Sequence, residues 1–352
     1  MKSISESSKK VFVGIDVHQK TYSVCCIVED VVVKKWRMEA RPEKLLKLLR
    51  SYFIEHEVYT VYEAGFSGFG LHRCLEEGGF KSQVVHASAV EVSQRDRVKT
   101  DKRDALKLST QLSVGRLHGI RIPTVEEEHQ RELTRTRQQL VRHRSAIKNQ
   151  IRSKFHYFGL LDPREHRELS MRMVRQVMSK VQAAELKLVV GALVEVWLSF
   201  NEQLKLLEKE IRKQAETDWR EKVYRMLPGF GPLTSRTCSN ELGDLRQFSN
   251  VKQLYSFTGL TPGEHSSGER IKREGITRQG SSRLRHVLVQ AAWVAIGKDQ
   301  GLRRDYERIA RQAGKGGKLK AIVAIARKLI GRARALFRDE TAYRTFCFVS
   351  VR

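Results

Sequence analysis

The chain has 352 residues, 40% hydrophobic and 30% charged, which is apolar material for two or three cores and too much for a disordered polymer. Its 66 Lys and Arg against 40 Asp and Glu leave a formal charge of +26, which puts a polyanion, nucleic acid first, ahead of small neutral ligands. No run of about 18 apolar residues is present to span a membrane, and MKSISESSKKVFVG lacks the apolar stretch of a secretory signal.

The same charge would also suit a solubilising surface, or attachment to a ribosome or an anionic membrane. The five cysteines are Cys25, Cys26, Cys74, Cys238 and Cys347, an odd number with no CxxC pair. They speak against a disulfide framework or a structural zinc site and for a reducing cytosol.

In chain order, KVFVGIDVH (10–18) is apolar and β-branched and reads as a buried strand. TYSVCCIVE and DVVVKKWRMEA follow as two more strands with short connections. PEKLLKLLRSYF reads as a helix, VYTVYEA (58–64) as a fourth strand, GLHRCLEEGG as a short helix stopped by glycines, and SQVVHA as a fifth strand. TDKRDALKLSTQLSVG then reads as a helix that Thr100 or Asp101 is placed to cap. The order βββαβαβα predicts an RNase H-like sheet; a Rossmann order would begin βαβ.

Residues 124–217 carry one proline, Pro163, and two long amphipathic stretches that break near GLLDPREHRELS. A helical hairpin or coiled coil is expected there. From about 218, MLPGFGPLTSRTCSNELGDL has a GxG turn between two short helices. This is the pattern of a helix-hairpin-helix, whose turn amides meet a DNA phosphate; an ordinary tight helical turn has the same composition. VKQLYSFTGL, the polar loop TPGEHSSGERIKREGITRQGSS and the apolar helix RLRHVLVQAAWVAIG follow. Residues 301–352 hold 14 basic and 4 acidic residues and read as helical and basic, suited to lying along a phosphate backbone.

The expected fold class is α/β plus α. An N-terminal RNase H-like mixed sheet spans 10–117 and a helical or coiled-coil middle spans 124–217. A mainly helical domain with the helix-hairpin-helix spans 218–335, and a tail covers 336–352.

The segment RVKTDKRDALKLST (97–110) is dense in Arg97, Lys99, Lys102, Arg103 and Lys107, yet it contains Asp101 and Asp104. At i and i+3 these two share one helix face. Asp16 follows the apolar run VFVGI, and Glu63 lies in the fourth strand. In an RNase H-like sheet the first and fourth strands are neighbours and the last helix crosses them, so all four acids can converge. Four clustered carboxylates repel one another. Divalent ions that prefer hard oxygen ligands, Mg²⁺ or Mn²⁺, offset that repulsion. Two such ions bracket a phosphodiester and stabilise its attacking and leaving oxygens, while Lys99, Lys102 and Arg103 hold flanking phosphates. Each acid alone has a plainer reading: Asp101 as a helix cap, Asp104 paired with Arg103 or Lys107, Asp16 as a strand-end acid. Their combination with the strand order points to metal.

In the polar loop, Ser266 and Ser267 precede Gly268. A serine hydroxyl near cations can attack a phosphodiester, and Arg270, Lys272, Arg273, Arg278, Arg283 and Arg285 would neutralise the developing charge. Ser-Ser-Gly is also routine loop composition, and the residues alone do not decide between the two.

GIDVHQKT, YEAGFSGFGLHRCLEEGG, DRVKTDKRDALKLS, LPGFGPLTS and FTGLTPGEHSSGERIKREGITRQGSSRLRHVLVQAAW together resemble one family over residues 10–330. It is the insertion-sequence transposase family numbered one-hundred-and-ten, which includes the Piv-type DNA invertases. The resemblance implies a RuvC-like DEDD domain whose acids fall on Asp16, Glu63, Asp101 and Asp104, and a C-terminal serine transposase domain. The family pattern of GLTP, four variable residues and Ser-Gly puts the nucleophile at Ser267, since GLTP is 259–262 here.

The resemblance further implies a homo-oligomer, dimer or tetramer, on donor and target DNA. In it the DEDD domain of one subunit completes a site with the serine domain of another, and the central helices serve dimerisation. A non-coding bridge RNA would pair with both DNAs, and the setting would be the bacterial or archaeal cytoplasm, beside the nucleoid. A metal-dependent RuvC-like nuclease or junction resolvase would need the four acids without Ser267. A Piv-type invertase would work without an RNA guide. A non-catalytic binder would leave the acids structural, and an actin-like kinase would need a second phosphate loop that is not found.

Overall fold

The computed structural model describes residues 9–91, 100–162, 164, 168–264, 273–277 and 279–340. The chain forms two compact units, Met1–Pro123 and Thr124–Arg352.

In the first unit, β1 (Lys10–Val17), β2 (Thr21–Val28) and β3 (Val31–Glu39) make an antiparallel meander. The His18 N–H donates to the Thr21 carbonyl at 3.0 Å across the first hairpin. Helix α1 (Pro42–Tyr52) starts on a proline, whose missing N–H is no loss in a first turn. It is followed by β4 (Glu57–Glu63), α2 (Gly70–Glu77), β5 (Lys81–Val85) and α3 (Asp101–Ser113).

β4 lies parallel to β1 and β5 parallel to β4, giving the sheet order β3-β2-β1-β4-β5. The βββαβαβα order expected from the sequence is the observed one. Thr100 precedes α3 in an extended conformation, but its side chain makes no capping hydrogen bond, and Asp101 is the first helical residue, not the cap.

Strand alternation divides the core of this unit in two. Val11, Val13 and Ile15 of β1 and Tyr62 of β4 pack with Leu45, Leu49, Leu71 and Leu75 of α1 and α2. On the other face Phe12, Tyr59, Val61 and Val85 meet Leu108 and Leu112 of α3.

The second unit opens with α4 (Val125–Tyr157), started by a reciprocal capping box between Thr124 and Glu127. After α5 (Met171–Met178), α6 (Ala184–Thr217) runs back antiparallel to α4. Arg137 bonds Glu208, Arg144 bonds Asn201 and Lys148 sits over Trp197, partners that descend as the first residue ascends. Val190, Trp197, Leu204 and Ile211 are buried at intervals of seven, which keeps one seam of α6 towards its neighbour.

The rest is mostly helical: α7 (Trp219–Arg225), α8 (Pro232–Leu242), α9 (Val251–Thr258), α10 (Ser282–Lys298), α11 (Gln300–Gln312) and α12 (Gly317–Asp339). A two-stranded ladder of β6 (Pro262–Glu264) and β7 (Arg273–Ile276) lies between α9 and α10. In the turn between α7 and α8, Gly229 takes φ 81° and sits where a Cβ would strike the Ala291 carbonyl of α10.

The basic C-terminal stretch also carries part of the core. In α12, Ile322, Ile325, Leu329, Ile330 and Phe337 are buried in the main core of this unit, against Leu284 and Leu288 of α10. The charge count of 301–352 had hidden an apolar stripe at helical spacing, and α12 continues past residue 335. Among the described residues no helix is long and apolar enough to cross a membrane.

Candidate active site

Two strand ends and one glycine bring the acids together. Along β1, Phe12, Gly14 and Asp16 alternate onto the face that α3 covers. A Cβ on Gly14 would collide with the Ala105 carbonyl and the Ser109 amide, so the helix backbone lies directly on the strand. Ala105, Leu108, Ser109 and Leu112 form the buried stripe of α3. Asp101 and Asp104 extend that stripe by one more turn, over the end of β1.

There the imidazole of His18 joins the acids. Its Nε2 lies 3.1 Å from Asp16 Oδ2 and 3.3 Å from Asp101 Oδ1. One ligand atom from each of Asp16, His18 and Asp101 lies within 4.8 Å of the others, the one such group among the described residues.

Asp104 and Glu63 are not part of this group. Asp104 is close enough for its charge to act on Asp16, and its Oδ1 is 3.8 Å from Lys107 Nζ. Glu63 ends β4. Because Ile15 pairs with Tyr62 between parallel strands, Glu63 is one step further on, level with Asp16 and on the α3 face.

Burial pushes the Asp16 carboxyl above its ordinary value; His18 pulls it down, and the charges of Asp101 and Asp104 push it up again. Like-charge repulsion in a half-buried place is what a bound cation relieves. Arg37, 4.0 Å from Asp101, is a further cation at the rim. Carboxylate oxygens with one imidazole nitrogen make a donor set that fits a divalent ion.

Sequence reasoning missed His18, although the spacing was usable: residues i and i+2 of a strand share a face, so Asp-x-His at a strand end sets both groups side by side.

The expected cationic residues are more scattered. Lys102 and Arg103 are exposed on α3, and Arg283 is half-buried on α10. Arg285 donates to the Gln279 and Gly280 carbonyls at 3.4 and 3.3 Å, bracing the backbone that leads into α10. Lys99, Ser266, Ser267, Arg270, Lys272 and Arg278 lie outside the described residues, as does the side chain of Arg273. The serine loop leaves from β6 and returns in β7, whose pairing of Glu264 with Arg273 brings its two ends together.

A mixed sheet in this order, with acids at the adjacent ends of its first and fourth strands and two more on the helix across them, is consistent with the RNase H-like class of phosphodiester enzymes. A DEDD transposase model of the IS110 group matches residues 13–158, and the model described as transposase IS116/IS110/IS902 family matches residues 222–307.

A putative transposase, y4qE, of Sinorhizobium fredii is 30% identical over 292 residues, covering 81% of this chain and 72% of the relative. The transposase for insertion sequence element IS1533 of Leptospira borgpetersenii is 25% identical over 357 residues, 94% of this chain and 96% of that one. The transposase for IS1111A of Coxiella burnetii is 27% identical over 218 residues, 61% of this chain and 59% of the relative. The chain belongs to the IS116/IS110/IS902 family of transposases, and its enzyme class is that of a DNA transposase.

Proposed function

We propose that the chain cuts and rejoins DNA strands with two chemical centres, the acids Asp16, Glu63, Asp101 and Asp104 and the hydroxyl of Ser267. The observation that supports this most is the approach of Asp16 and Asp101 beneath His18 at the end of β1, with Asp104 and Glu63 flanking. The acids hold Mg²⁺ or Mn²⁺, two ions in the full assembly. Bound ions supply charge stabilisation for the attacking and leaving oxygens of a phosphodiester.

Ser267 Oγ bonds to phosphorus as the ester bond to the leaving strand breaks, and the departing oxygen takes up a proton. The serine ester keeps the phosphodiester's bond energy, so a strand hydroxyl rejoins without a nucleotide cofactor. Arg270, Lys272, Arg273, Arg278, Arg283 and Arg285 lie in sequence around this serine to offset the charge. Lys99, Lys102 and Arg103 hold phosphates beside the acids, and the turn between α7 and α8 offers amides to a further phosphate as a helix-hairpin-helix does.

The working division is a DEDD domain at 10–117, oligomerising helices at 124–217, a serine domain at 218–335 and a tail beyond. A dimer or tetramer would pair the two centres across subunits. A bridge RNA would read donor and target sequence by base pairing, leaving the protein mainly backbone contacts, which a charge of +26 suits. The setting is the bacterial or archaeal cytoplasm.

The test is a cleavage and adduct assay on labelled DNA with denaturing gels. Asp16→Asn or Asp104→Asn lowers strand cleavage at least about 10³-fold, the equivalent of several kcal/mol of charge stabilisation, with DNA binding kept. Ser267→Ala abolishes the covalent adduct, whereas Ser266→Ala keeps it. Cleavage that persists in EDTA, or an adduct mapped to Ser266, overturns the assignment.

A further inference from the structure

His18 stands where a ligand would stand, and nothing else in the proposed chemistry uses it. Its Nε2 faces two carboxylate oxygens from two different elements, Asp16 on β1 and Asp101 on α3, at 3.1 and 3.3 Å. Separations near 3 Å are those between neighbouring donors around a six-coordinate ion with bonds of about 2.1 Å. The two carboxylate oxygens lie within 4.8 Å of each other as well, so the three atoms can share one ion.

The backbone that carries the imidazole is fixed. The His18 backbone N–H donates to the Thr21 carbonyl at 3.0 Å, closing the β1–β2 hairpin, and two-residue spacing sets the side chain on the face of Asp16. With 49% of its side chain exposed, His18 lies at the open side of the cluster, where a phosphate would enter.

Resting on the metal reading of the acids, we propose that His18 Nε2 ligates the divalent ion directly, making an Asp–His–Asp donor set. Imidazole nitrogen binds transition-metal ions better than it binds Mg²⁺, whose preference is for oxygen. The site is thereby tilted towards Mn²⁺ over Mg²⁺ relative to one made of carboxylates alone. An imidazole that only hydrogen-bonds the two acids would set no such preference.

The experiment uses the full chain with Mn²⁺ as the probe. Pulsed electron paramagnetic resonance of the bound ion shows ¹⁴N modulation from a directly bonded imidazole. The pattern changes to that of ¹⁵N when the protein is grown with ¹⁵N-histidine, and it disappears in His18→Gln. The same variant weakens Mn²⁺ binding at least about 10-fold, no less than the loss seen when a group behind a metal ligand is removed, and weakens Mg²⁺ binding less.

Mn²⁺ that binds wild type, is lost in Asp16→Asn and shows no nitrogen coupling overturns the role of His18 alone. An equal loss of both ions in His18→Gln overturns the preference. Mn²⁺ that fails to bind wild type, or binds Asp16→Asn as well as wild type, overturns the reading of the acid cluster and this inference with it.

Discussion

Carboxylates are treated in opposite ways by the two units of the chain. In the helical unit, Asp218 accepts from Arg220 Nε at 2.9 Å, from Arg236 Nη1 at 2.9 Å and from the Ser239 hydroxyl. Arg236 is almost fully buried and also lies 3.6 Å from the equally buried Glu221. Glu241 receives a two-pronged bond from Arg135, at 2.8 and 2.9 Å. Burial would push the Asp218 carboxyl up, but the bonds from Arg220 and Ser239 outweigh it and hold it below its ordinary value.

In the sheet unit, burial raises the Asp16 carboxyl, and two further acids add to the push against the single imidazole of His18. Where an acid joins helices, the chain supplies the guanidinium itself. At the end of β1 its cations stay at the rim, Arg37 at 4.0 Å from Asp101 and Lys107 at 3.8 Å from Asp104, and Asp16 still faces like charges in a protein of formal charge +26. That difference separates an acid that holds the fold together from one that, in the proposed function, is kept for an outside cation.

The largest effect comes from breaking the balanced side. Arg236→Leu takes the shared buried guanidinium from Asp218 and Glu221, which keep Arg220 and Arg225, and destabilises by about 3 kcal/mol, the low end for a broken buried pair, read by chemical denaturation. Adding Asp218→Asn and Glu221→Gln recovers part of that loss. A cost for the single variant below about 1 kcal/mol, the range of exposed ion pairs, would mean that water reaches these charges.

Next is the contact that builds the unbalanced side. Gly14→Ala forces α3 off β1 and costs about 1–3 kcal/mol by overpacking. It also separates Asp101 from Asp16, so Mn²⁺ affinity falls even at temperatures where the variant is fully folded. Unchanged affinity would show that α3 can shift without opening the cluster.

The smallest effect sharpens the contrast by its sign and is measured as melting temperature against pH in EDTA. Asp218, held below its reference value of 3.8, contributes stability above that pH and loses it as pH falls through its folded value. Asp218→Asn therefore melts lower at neutral pH and loses less than wild type on acidification. Asp16, held above 3.8, binds its proton more tightly folded than unfolded, so its carboxylate costs stability once pH rises through the folded value. Asp16→Asn therefore melts higher than wild type at neutral pH, and the difference shrinks as pH falls towards 3.8. Shifts of the same sign in the two variants would erase the comparison.

Local periodicity determined much of this by itself. Apolar, β-branched runs marked the strands of the sheet, helical spacing marked α1, glycines and a cap position marked α2 and α3, and the i, i+3 relation alone put Asp101 and Asp104 on one helix face. The family motifs had the same origin, as short contiguous patterns.

Only the tertiary structure decided the rest, because it depends on which distant groups meet. Gly14 reads locally as a weak spot in a strand, yet it lets α3 rest on β1 and so sets the reach from Asp101 to Asp16. Arg236 reads as one more cation in TSRTC, and its burial against Asp218 and Glu221 follows from helix packing. His18 was in plain view beside Asp16, but only the overhang of α3 gave it a second carboxylate. In α12 a tally of basic residues masked an apolar stripe that the core required. Net charge is a sum over residues and carries no direction, whereas burial depends on which face a residue occupies and on what that face finds to pack against.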